Sequence, residues 1–107
     1  MKLIDFMDYL TSPELLGDLY NEMGISIQPD ELLIYVRDYL DIHSDIFFFS
    51  LDETNDQRTF EKDGVKYDQI FSVDYAVNLI SMLDLRDKDY TNEYIAQRLI
   101  EYCINDA

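Results

Sequence analysis

The sequence predicts an α+β domain: a small three-stranded antiparallel β-meander with helices packed around it, in the order ααα-βββ-αα. Three observations carry that expectation. Both ends of the chain place apolar residues at helical spacing; the middle holds Ile46-Phe47-Phe48-Phe49-Ser50-Leu51, too short and too aromatic for a helix; and Asp63-Gly64 separates two segments of β-type alternation. The 107 residues match the common size of one domain, and 48% apolar content is enough for a core, so residues 1–107 are expected to form a single acidic globular domain.

The elements follow in chain order. Leu3, Met7 and Leu10, with Phe6 beside them, give a short first helix. Ser12-Pro13-Glu14 supplies an N-cap, a proline at the first helical position and an acid in the first turn of a second helix. Its apolar face is Leu15, Leu16, Leu19, Tyr20 and Met23, and Gly24 fits its stop. Pro29 opens a third helix that ends near Asp41, with Leu32, Leu33, Val36 and Leu40 inward and Tyr35 and Tyr39 one turn apart on its flank.

The period then changes to that of a buried strand at Ile46–Leu51, followed by a loop from Asp52 to Gln57. Arg58–Lys62 and Val65–Asp68 form a hairpin in which Asp63-Gly64 provides the positive φ angles of a two-residue turn. That register sets Phe60 opposite Tyr67 and Glu61 opposite Lys66, an aromatic pair on one face and an ion pair on the other. Ser72 caps a fourth helix carrying Val73, Ala76, Val77, Ile80 and Leu83, and Thr91 caps a fifth carrying Ile95, Ala96, Leu99, Ile100 and Cys103.

Charge narrows the function classes. The chain has 23 acids and 8 bases, a net −15. Residues 1–57 hold 13 acids and 2 bases, residues 58–107 hold 10 and 6, and the stretch from Leu3 to Val36 holds seven carboxylates and no lysine or arginine. Direct nucleic-acid binding needs a basic stripe to displace counterions from phosphates, and anionic membranes repel the same surface, so neither partner is expected. Fifteen Phe and Tyr residues argue against disorder. Asp5 and Asp8 interrupt the start where a signal peptide needs an unbroken apolar stretch, no span approaches the roughly 20 apolar residues of a membrane helix, and a cytoplasmic location is the expectation.

Catalytic chemistry finds little support. His43 is the one histidine, and with Asp41 and Asp45 it makes no characteristic metal spacing. Counting from Asp52 as a calcium loop puts Gln57 where glycine belongs and Asp63 where glutamate belongs. Cys103 is the sole cysteine and falls on an apolar helix face, and Gly17, Gly24 and Gly64 lie too far apart for a phosphate loop. No enzyme, metal or cofactor is expected.

The candidate binding residues are acidic. Glu14, Asp18 and Glu22 sit four apart and form a carboxylate column along the second helix, where like charges cost roughly 0.2–0.5 kcal/mol per pair. Asp30, Glu31, Asp38 and Asp41, with Asp5 and Asp8, extend the same sign, and Tyr35 and Tyr39 flank Asp38 as aromatic anchors. This pattern points to a basic protein partner, either a nucleic-acid enzyme or a toxin. The leading expectation is an acidic inhibitor of the anti-CRISPR or anti-restriction kind, with a DNA mimic as one form, its carboxylates standing in for phosphates. The alternative is an immunity protein that neutralises a cognate toxin such as a nuclease. A winged-helix regulator is the third reading, and Arg37 among four acids in the Pro29–Asp41 segment argues against it.

Overall fold

The computed structural model describes residues 1–25, 31–83 and 90–105, and among them four strands form one antiparallel sheet flanked by five α-helices. The order is α1 (Leu3–Thr11), a 3₁₀ turn (Pro13–Leu15), α2 (Leu16–Met23), β1 (Leu32–Arg37), β2 (Ile46–Ser50), α3 (Leu51–Thr54), β3 (Thr59–Lys62), β4 (Val65–Ser72), α4 (Val73–Met82) and α5 (Asn92–Asn105). The α+β class stands, but the three-stranded meander and the ααα-βββ-αα order are corrected.

The main correction is the third helix. Leu32-Leu33-Ile34-Tyr35-Val36 is a strand, each residue at most 4% exposed, and it lies inside the sheet, whose order is β2-β1-β4-β3. Leu32, Leu33 and Val36 fit a helical spacing, yet five consecutive apolar residues with β-branched Ile34 and Val36 also describe a central strand buried on both faces. Burial on both faces decided the outcome. Pro29 and Asp30 lie outside the described residues. The anticipated loop at Asp52 begins instead as α3, whose first turn Ser50 caps by accepting a hydrogen bond from the Glu53 N–H at 2.9 Å.

The hairpin has the register set by Asp63-Gly64: Phe60 pairs with Tyr67 and Glu61 with Lys66, and both turn residues have positive φ. Glu61 and Lys66 stand opposite without forming an ion pair; the bridge made nearby is Lys62 to Glu53, 2.8 Å. β4 then runs on past Asp68 to Ser72 and pairs with β1, so the hairpin joins the centre of the sheet. Gln69 faces Tyr35 and Phe71 faces Ile34, which leaves Ile70 as an extra residue, a β-bulge.

Two cores result. On the inner face Leu32, Ile34, Val36, Ile46 and Phe48 pack against Leu3, Phe6, Met7 and Leu10 of α1, Val73, Ala76, Leu79 and Ile80 of α4, and Ile95, Ala96, Leu99 and Ile100 of α5. On the outer face Tyr35 is fully buried among rings: Phe49 lies 5.6 Å and Phe60 6.2 Å from it, centroid to centroid. Phe49, on one edge strand, reaches Phe60, on the opposite edge strand, at 5.1 Å, so the sheet coils strongly around this cluster. Arg37 and Lys62 lie over the Phe47 and Phe49 rings at 5.4 and 5.6 Å and roof it with cations.

The helix ends follow the sequence closely. Ser72 and Thr91 accept from the Tyr75 and Tyr94 amides, capping α4 and α5, and Gly24 stops α2 at φ +69°. Ser12 does not cap with its side chain; its carbonyl accepts from the Leu15 N–H at 2.9 Å and starts the 3₁₀ turn.

Candidate functional site

The acidic surface is built on the helices that precede β1. Phe6, Met7 and Leu10 turn α1 inward, which leaves Asp5 and Asp8 exposed, and Leu16 and Leu19 do the same for α2, leaving Asp18 and Glu22 exposed. Asp18 and Glu22 lie one helical turn apart, about 6 Å along one face. Glu14 is exposed but belongs to the 3₁₀ turn, so the expected three-rung column has two helical rungs and a third set by a different backbone. Leu15 and Met23, assigned to the apolar face, are 41% and 47% exposed and border the carboxylates instead.

The β1–β2 connection adds a second group. The Tyr39 N–H donates to Arg37 O at 2.7 Å, the Asp41 N–H to Ser44 Oγ at 2.9 Å, and that hydroxyl in turn to Tyr39 O at 2.9 Å. This knit turn, with Asp38 at φ +66°, holds Asp38 and Tyr39 out to solvent, Tyr39 at 68% exposure, and keeps Asp41 half-buried. It also meets α1: Leu3 N–H donates to Ser44 O and Ile4 N–H to Ile42 O, both at 2.9 Å. Asp5, in the first turn of α1, therefore shares one end of the molecule with the Asp38–Asp45 turn, and Asp8, one turn on, accepts from Asn92 of α5 at 2.8 Å.

The structure separates other candidates. Glu31 is exposed at the start of β1, about 23 Å along the extended chain from Asp38 at its far end, so the strand holds these two acids apart. Tyr35 is withdrawn from the surface: it has no exposure, its Oη donates to Gln57 O at 2.6 Å, and it does not stand beside Tyr39. Asp30 lies outside the described residues. The Pro29–Asp41 segment that a winged-helix reading takes as its recognition helix holds the strand Leu32–Arg37.

The remaining chemistry is sparse among the described residues. No three of His, Cys, Asp or Glu converge as metal ligands. His43 is exposed and borders a hollow of about 130 Å³ with Arg37, Asp38, Tyr39, Ser44 and Asp45. Cys103 is half-buried, and burial raises its thiol pKa against the opposing pull of Arg58. It lines a cleft of about 350 Å³ with Arg58, Gln69, Tyr75 and Tyr102 that spacing along the chain could not reveal, since its walls come from β1, the segment before β3, β4, α4 and α5. No helix among the described residues is long and apolar enough to cross a membrane.

No protein-family model, curated protein or solved structure matches this chain.

Proposed function

We propose that this chain is a non-enzymatic acidic binding protein that docks on the basic, nucleic-acid-binding surface of a partner enzyme and blocks it. The observation that supports this is a set of exposed carboxylates on the N-terminal helices, in a stretch from Leu3 to Val36 that holds no lysine or arginine. Asp5, Asp8, Glu14, Asp18 and Glu22 are exposed on α1, the 3₁₀ turn and α2, and the ion pairs of the described residues, Lys62–Glu53 and Arg98–Glu101, lie elsewhere. Arg37 and Lys62 lie over aromatic rings on the outer sheet face, Lys62 also bridging Glu53 and Arg37 bordering a hollow with Asp38 and Asp45. Like-charged neighbours without intervening bases cost stability, and a basic partner recovers that cost while opposite fields raise the association rate.

Affinity capture tests the reading. The purified chain is compared with a Glu14→Gln/Asp18→Asn/Glu22→Gln variant at low and at high salt. A basic nucleic-acid enzyme captured by the native chain, and lost with the variant or at high salt, is the expected outcome. Identical captures by both forms would remove the acidic helices from the binding account. The captured enzyme's identity also separates a defence inhibitor from a toxin antidote, which the shared acidity does not.

A further inference from the structure

The cleft beside the β4 bulge carries an inference independent of the acidic helices. Its floor is Leu33, Ile70 and Phe71, and its polar groups are Arg58, Gln69, Ser72, Tyr75 and Tyr102, with Asp56 at the rim and Cys103 on the α5 wall. At about 350 Å³ it lies within the range that holds small ligands. The walls are fixed by the surrounding elements. Gln69 N–H donates to Arg58 O at 2.7 Å and pins the chain at Arg58 against β4; the Tyr75 ring packs on Phe71 at 5.2 Å; Tyr102 packs on the main core.

The groups are arranged by chemistry. Phe71, Tyr75 and Tyr102 offer aromatic surface, and Arg58 offers a guanidinium fork suited to a carboxylate or phosphate group. Asp56 makes no ion pair with Arg58; its Oδ1 accepts from the Gln69 amide at 3.1 Å. The bulge at Ile70 opens the sheet backbone at the same place, a feature that recurs beside binding sites.

We infer that this cleft binds a small aromatic anion, with Arg58 holding the anionic group and Tyr75 and Tyr102 lining the ring. The test titrates the isotope-labelled chain with phenyl phosphate, and separately with inorganic phosphate, following backbone amide resonances. Phenyl phosphate is expected to shift Arg58, Gln69, Ser72 to Tyr75 and Cys103 together, and to slow alkylation of Cys103. Arg58→Gln, an exposed residue outside both cores, is expected to weaken that binding about tenfold, and Tyr75→Ala is expected to weaken it by a similar factor. Absence of these shifts, shifts unaffected by either variant, or equal response to inorganic phosphate alone would each overturn the inference. Circular dichroism of both variants confirms that a loss of binding is not a loss of fold.

Discussion

Two tyrosines show how the same hydroxyl has opposite value in two surroundings. The Tyr35 Oη donates to Gln57 O at 2.6 Å in the outer core, while the Tyr20 Oη is buried with no partner among the described residues, and burial raises its pKa. A satisfied buried hydrogen bond contributes about 1 kcal/mol, and an unsatisfied hydroxyl costs a comparable amount. Tyr35→Phe is therefore expected to lower the unfolding free energy by about 1 kcal/mol, and Tyr20→Phe to leave it unchanged or raise it. Urea denaturation of the two variants checks this, and equal losses at both positions would contradict the assignment. Spacing placed Tyr20 on the apolar face of α2, where it packs against the core, but the environment of Tyr35 was not legible. Tyr35 read as a surface anchor because a helix flank was assumed for it, whereas the ring cluster that buries it comes from β2 and β3, distant in sequence.

At the scale of elements, local punctuation was readable and long-range pairing was not. Asp63-Gly64, Gly24, Ser72 and Thr91 act through their own backbone neighbours, and all four signals hold. β1 failed because a five-residue apolar run fits one helix face or a strand covered on both sides, and only β2 and β4 decide between them. The Phe47-Phe48-Phe49 run held a clue to the second core: Phe48 meets Phe6 on the inner face while Phe47 and Phe49 meet Tyr67 on the outer. Two glycines give an expectation of opposite sign. Gly64 has φ +81° in open space, so Gly64→Ala strains the turn and costs about 1 kcal/mol. Gly17 lies exposed in α2 with nothing near its missing side chain, so Gly17→Ala gains up to about 1 kcal/mol. Matching thermal unfolding midpoints for the two variants would contradict both element assignments.

For the whole molecule, charge is the property that composition revealed and topology then distributed. The lopsided count, 13 acids against 2 bases in residues 1–57, becomes in three dimensions exposed carboxylates on α1 and α2 and a second group on the turn stitched to the start of α1. Of the candidate residues, Glu14, Asp18, Glu22, Glu31, Asp38 and Tyr39 are exposed, as acids and their neighbours in sequence commonly are. Which of them share a face depended on β1, and that could not be derived from spacing alone. On the proposed reading such a surface would act by steering its partner and by a few desolvated contacts, for which Leu15 and Met23, exposed beside the α2 carboxylates, are the available apolar groups. The central claim is that such a surface occupies the place of nucleic acid on its partner. The most direct measurement is competition: labelled duplex DNA bound to the captured enzyme, titrated with the native chain. Release of the DNA in proportion to added chain, with the Glu14→Gln/Asp18→Asn/Glu22→Gln variant much weaker, is the predicted result; a ternary complex in which enzyme holds DNA and chain together would contradict it.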